Sequence, residues 1–388
     1  MRFSERTNWN TDETELARAH RQRLLAGLPT ADLTASNPTR CGFEYDPALL
    51  AALADPLALD YDPQPRGSLR ARQAVCRYYA DHGIALDPAQ IVLTTSTSEA
   101  YSFLFRLLCD PDSEILVPQP GYPLFDFLAA LDDVRLIAAP LVYDHGWQID
   151  PEGFRRAITS RTRAIVLVHP NNPTGHFTKP WEAEELARLC CEFDLSMIVD
   201  EVFLDYGLAG DGRSFTSGIE GVPAFVVSGL SKVAALPQMK AAWIVATGPH
   251  ANEALDRLEV IADTFLSMNA PVQCALPEWL NGRVGIQGQI RRRVASNLAE
   301  LDRQLKGQQG IERLQVEGGW YALLRIPALA PDEQTVLALL DRGVWVHPGS
   351  FFGLPESGWL VVSLLAQEPE FAAGVSRAIE YLGERQRS

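Results

Sequence analysis

From about residue 68 the chain alternates short apolar runs with stretches of helical periodicity, and few architectures accommodate that order. The apolar, β-rich runs occupy residues 91–95, 114–117, 134–138, 164–169, 196–200, 225–228 and 243–247. Most are separated by helical patterns such as SEAYSFLFRLLCD and WEAEELARLCCEFD. A continuous apolar strand needs cover on both faces, and strands joined through helices pair in parallel. The order therefore predicts an α/β fold whose large domain holds a mostly parallel, seven-stranded sheet between helices. Residues 1–30 read as an amphipathic helix, followed by a stretch rich in turn formers, ADLTASNPTRCGFEYDP. A long helical stretch is expected over 250–308, and then strand–turn–helix units appear in GGWYALLRI, GVWVHPG and WLVVSLL, with a last helix from Glu370. These units read as a smaller α/β domain built from both termini. The expected division is 1–50 joining the small domain, 51–285 as the large domain and 286–388 as the small C-terminal domain.

Composition narrows what such a fold does. With 388 residues, 47% of them hydrophobic, the chain has ample material for a sizeable core. Its net charge of −15 repels phosphate backbones, so nucleic acid is not an expected partner. No run of about 18 apolar residues marks a membrane span. The polar N-terminus lacks the apolar core of a secretory signal. Six scattered cysteines without CxxC spacing read as reduced thiols of a cytoplasmic protein, and no metal site is expected on them.

Ligands of parallel sheets sit at the carboxyl ends of the strands, so the informative residues follow each apolar run. There stand Ser96, Thr97 and Ser98, then Tyr122 in PQPGYP, Asn172 in HPNNPTG, Asp200-Glu201, and Ser231-Lys232 in SGLSK. Small hydroxyl residues opening a helix suit a phosphate. An aromatic stacks on a flat ring, and an Asn amide hydrogen-bonds a phenolic oxygen. A buried Asp pairs with a protonated pyridine nitrogen, and a Lys forms a Schiff base. The ligand that unites these features is pyridoxal 5'-phosphate, whose cationic ring draws electrons from an adjoining carbanion.

The motif order resembles the class I/II aminotransferase family of fold-type-I pyridoxal-phosphate enzymes. The match runs from about Leu33 to the C-terminus through TTSTSEA, NNPTG, DEVF and SGLSK, with Asn172 28 residues before Asp200 and Lys232 32 residues after it. The resemblance implies Lys232 as the Schiff-base lysine, one of only four lysines in the chain, and Asp200 as partner of the ring nitrogen. It implies Asn172 as donor to the ring oxygen and Tyr122 as the stacking aromatic. Ser96, Thr97, Ser98 and Ser231 would hold the phosphate. Tyr61 would reach the phosphate of a neighbouring subunit, which implies a homodimer with shared active sites. His169 and His176, beside the NNPTG turn, read as structural, whereas His347 is a weaker site-lining candidate.

Three departures stand out. Phe203 occupies a position where many relatives carry a tyrosine that bonds the ring oxygen. Lys240 replaces an arginine that salts the phosphate; it keeps the charge without the fork. Val361, in WLVVSLL, stands where the substrate-carboxylate arginine belongs, and no apolar residue forms that bidentate pair. Arg40, in SNPTR, is the candidate replacement, with Arg66 a weaker one. The expected activity is transamination between an amino donor and a keto acceptor; the missing arginine keeps a lyase, decarboxylase or cyclase of the same fold as the alternative. A non-catalytic regulator is disfavoured by the retained Lys232 and Asp200.

Overall fold

The computed structural model describes residues 1–209 and 212–387. Its large sheet runs in the order Ile91–Thr94, Ala242–Thr247, Ala224–Gly229, Ser196–Asp200, Thr162–Val168, Glu114–Gln119, Arg135–Tyr143 and Trp147–Ile149. Eight strands replace the expected seven, because the three-residue Trp147–Ile149 strand adds an antiparallel edge against Arg135–Tyr143. Ala242–Thr247 also runs against both its neighbours. All six of its residues are buried, so its apolar run carries no sign of direction. The parallel centre is kept in register: Val168 pairs with Asp200, and Asp200 with Val227. That register sets the ends of three strands level with one another.

Alternate residues of the strands fill two separate cores. Ile165, Met197, Val199, Val226 and Val245 face Val75, Tyr79, Leu276 and Trp279. Their neighbours Val166, Ile198, Val227 and Ile244 face Leu104, Leu255 and Leu258. Each such buried aliphatic contributes about 1.5–3 kcal/mol relative to exposure. Two covered faces leave only the strand ends to meet a ligand.

The second unit is a four-stranded antiparallel sheet in the order Glu312–Arg313, Tyr321–Arg325, Trp359–Ser363 and His347–Pro348. The N-terminal segment joins it, since Ala31–Asp32 pairs in parallel with Val344–Trp345. Two helical expectations need correction. The first helix spans only Glu15–Leu25: Thr14 caps it by accepting from Ala17 N at 3.2 Å, and Gly27 at φ +64° follows its end. The long stretch after residue 250 is two helices, Ala251–Phe265 and Ala270–Leu305. Leu266 in the left-handed region ends the first, and Asn269 caps the second ahead of Pro271. Among the described residues no helix is long and apolar enough to cross a membrane.

Candidate active site

Asp200 is the last residue of its strand, and Lys232 sits in the single turn Leu230–Val233 that follows the next strand. Asp200 is 7% exposed. Its Oδ1 accepts from Val202 N at 3.0 Å, and its Oδ2 accepts from the Tyr101 hydroxyl at 3.1 Å. Burial pushes its carboxyl up to about 6, against those two donors and the nearby Lys232 charge. Burial also pulls the Lys232 amine down to about 8, while Asp200 and Cys41 oppose the fall. An amine tuned toward neutral pH keeps a fraction of its nucleophilic form, and a carboxylate of high proton affinity gains by meeting a cation. The Lys232 carbonyl accepts from the Tyr206 hydroxyl at 2.7 Å, and Gln287 holds the next carbonyl, that of Val233, at 2.7 Å.

The strand Ile91–Thr94 runs straight into the helix Thr97–Leu108. Ser96 caps that helix, its hydroxyl accepting from Glu99 N at 3.1 Å. The Glu99 carboxylate in turn accepts from Thr95 N, the Thr95 hydroxyl and the Ser267 hydroxyl. The first-turn amides at Thr97 and Ser98 lack acceptors within the helix and carry its positive end, an arrangement suited to an anion. Tyr122 lies beyond Glu114–Gln119 with 42% of its surface open, and its hydroxyl is near enough to Asp200 to feel that charge. Asn172 is 7% exposed, and its Oδ1 has no partner among the described residues. The free first-turn amides of that helix, the open face of Tyr122 and the buried Asp200 carboxylate suit the phosphate, the ring and the ring nitrogen of pyridoxal phosphate.

The expected histidines are taken up by contacts of their own. His169 is buried between Phe177 and Phe215, accepts from Thr178 N at 3.1 Å, and is held neutral by burial down to about 3. His176 meets Glu182 at 2.8 Å in a buried network that also takes Ile149 N. Both serve the NNPTG turn. His347 lies 5.7 Å from the Phe352 ring, and burial lowers its proton affinity. Ser231 is half-buried beside Lys232, whereas Lys240, in the left-handed region at φ 52°, is exposed. Tyr61 is 84% exposed and lines a cleft of about 350 Å³ with Leu93, Ser267 and Asn269. Arg66 is ion-paired with Asp256 at 2.9 Å and Glu259 at 2.5 Å, which removes it as a carboxylate clamp. Val361 is fully buried, opposite Leu323 in the small sheet and within the apolar core. Arg40 is exposed on the short turn Pro38–Arg40, next to buried Cys41, whose thiol interacts with the Lys232 charge.

Two residues at the site escaped the sequence reading. Tyr101, in the first turns of the helix Thr97–Leu108, reaches Asp200; a tyrosine among apolar core residues of a helix is the one signal it gives. Trp320 lies with its ring centroid 4.9 Å from Lys232 Nζ. It comes from the bend leading into Tyr321–Arg325 of the four-stranded sheet, and no spacing ties GGWY to SGLSK.

Comparison with known proteins agrees with this geometry. The family model "Aminotransferase class I and II" matches residues 53–372. Alanine aminotransferase of Mycobacterium tuberculosis is 28% identical over 379 residues, covering 94% of this chain and 88% of that protein. An S-alkyl-thiohydroximate lyase of Arabidopsis thaliana is 29% identical over 245 residues, 61% of this chain and 53% of that protein. The solved alanine aminotransferase of Pyrococcus furiosus superposes with a TM-score of 0.90 at 24% identity, covering 99% of this chain and all of that one, and so shares the fold. A family match over most of the chain, on a fold that aligns end to end, makes this protein a member of the class I and II aminotransferase family.

Proposed function

We propose that the protein is a pyridoxal-5'-phosphate-dependent aminotransferase that passes an amino group from an amino acid or amine to a keto acceptor. The observation that carries this reading is the placement of buried Asp200 and of Lys232 at the carboxyl ends of neighbouring parallel strands, close enough for each charge to act on the other. When bound there, pyridoxal phosphate supplies an aldehyde for the amine and a cationic ring that accepts electron density from the substrate carbon. Asp200 holds the ring nitrogen protonated, and Tyr101 and Val202 N orient its two oxygens. Lys232 would hold the cofactor's aldehyde carbon through Nζ, and the same atom would carry a proton to and from the substrate carbon. Tyr122 packs on the ring, and Asn172 meets the ring oxygen. Ser96, Thr97, Ser98 and Ser231 bind the phosphate, with Lys240 adding charge. Phe203 in place of a hydroxyl donor leaves Asn172 to hold the ring oxygen without that second donor.

Arg40 is our assignment for the cation that meets the substrate carboxylate, because the turn that bears it adjoins the site through Cys41. The exposed apolar residues Leu57, Leu59 and Tyr61 of one loop support a homodimer in which Tyr61 completes the partner's phosphate site. Free cysteines suit the reducing cytoplasm, where we place the enzyme. A second reading, a lyase or decarboxylase, is favoured by one observation: a fully buried Val361 stands where the resemblance expects the carboxylate clamp. One experiment separates the two. The holoenzyme is mixed with a panel of amino acids and amines, and the cofactor, keto product, ammonia and carbon dioxide are measured. Transamination yields pyridoxamine phosphate and keto product one for one. Ammonia or carbon dioxide with the cofactor unchanged would replace it with the second reading.

A further inference from the structure

Lys232 is flanked by two aromatic faces, and neither is placed by chance. The Trp320 ring centroid is 4.9 Å from Nζ and the Phe203 centroid 5.7 Å. The two rings meet edge to face, with centroids 4.9 Å apart at 87°. Both side chains are buried, Trp320 fully and Phe203 at 4% exposure. The small-domain segment that carries Trp320 is tied to the large domain at several points. Gly319 N donates to the Tyr206 carbonyl at 2.9 Å and Leu208 N to the Glu317 carbonyl at 2.7 Å. Glu317 also pairs with Lys179. Tyr206 in turn donates to the Lys232 carbonyl. Tyr206 thus anchors both the bend that bears Trp320 and the backbone that bears Lys232.

We propose that Phe203 and Trp320 form an aromatic cage that holds the Lys232 ammonium at the site, making both rings positioning residues for the group that moves the proton. The inference rests on Lys232 being the working lysine. The negative faces of the rings attract a cation within about 6 Å of their centroids. The groups that face Nζ from other elements are Asp200, at the end of its strand, and the Cys41 thiol, in the N-terminal loop. Tyr122, within reach of the Asp200 charge, and Tyr321, next in the chain to Trp320, remain neutral at physiological pH, since burial raises both. Burial works against the ammonium, while Asp200 and the cage work for it. A Phe at position 203 serves this purpose without a hydroxyl to satisfy.

The test uses the apoenzyme, and so does not depend on turnover. Trace acetic anhydride labels lysines as free amines, and mass spectrometry reads the Lys232 peptide against exposed Lys306 across pH. Trp320→Leu keeps apolar bulk but removes the π-face; Trp320→Phe keeps a face. The cage predicts that Trp320→Leu moves the Lys232 labelling midpoint down by about 1 pH unit, a roughly fivefold faster labelling at pH 7. Trp320→Phe should stay close to the parent. Phe203→Leu should move the midpoint in the same direction and gives the answer if Trp320→Leu does not fold. Leucine variants that titrate like the parent, or shift upward as water enters, overturn the cage. Failure to fix cofactor on Lys232 would instead overturn the assignment of the lysine, so the two failures are distinct.

Discussion

Tyr101→Phe isolates the hydrogen bond that supports Asp200. The ring packs edge to face on Phe125, with centroids 4.9 Å apart, and Phe preserves that contact. Only the hydroxyl that donates to Asp200 Oδ2 at 3.1 Å is lost. A hydrogen bond to an ionised acceptor is worth about 1.5–3 kcal/mol, and one pH unit corresponds to about 1.4 kcal/mol. Burial already places Asp200 at about 6. The variant should therefore ionise Asp200 about 1 to 2 pH units higher than the parent. At pH 7 the apoenzyme would then hold a largely protonated Asp200 that cannot neutralise the ring nitrogen. Titration of apoenzyme with pyridoxal phosphate, followed by absorbance between pH 6 and 9, reads this directly. The expected result is about two- to tenfold weaker binding at pH 7 that recovers toward pH 9. Equal affinity at every pH would refute the reasoning, and would show that Tyr101 only fills space.

Burial pushes Glu201 up to about 7, despite donors from Ser214 and Phe215 N. The folded state then keeps a proton that the unfolded chain releases at the ordinary value, so stability falls as pH rises from about 4.5 to about 7. Glu201→Gln should relieve this by up to about 3 kcal/mol at pH 8 and have little effect at pH 4, as measured by denaturant unfolding; a pH-independent change would contradict the assignment. Arg40→Ala should lower kcat/KM for an α-amino acid by roughly ten- to a hundredfold and spare the decarboxylated amine. Identical losses on both substrates, or none on either, would remove Arg40 from carboxylate binding. If the proposed homodimer packs through this segment, Leu59→Asp should give more monomer in analytical ultracentrifugation and weaken phosphate binding with it; an unchanged sedimentation profile would overturn that interface.

The sequence made the strand ends legible because a covered parallel sheet writes itself as apolar runs, and each run empties into a residue of the site. Asp200, Lys232 and Asn172 stand out in that way, since each lies at or just after the end of an apolar strand of its own. Strand direction was not: Ala242–Thr247 is buried on both faces, and burial is indifferent to polarity. The break at Leu266–Asn269 was missed because apolar periodicity continues across it, and only the cap at Asn269 and Pro271 mark the second start. Trp320 was out of reach because its contact with Lys232 joins segments about 90 residues apart, and a residue that acts across a domain boundary leaves no local pattern. Arg66 misled for the opposite reason: its partners Asp256 and Glu259 lie on a distant helix.

The central claim is that Lys232, and no other lysine, carries the cofactor at the sheet edge. It is tested by loading the protein with pyridoxal phosphate, reducing with borohydride and mapping the pyridoxyl-bearing peptide by mass spectrometry. The account predicts a single modified residue, Lys232, with the label lost in Lys232→Ala and retained in Lys240→Ala. A label on Lys240, or one that survives Lys232→Ala, would contradict it.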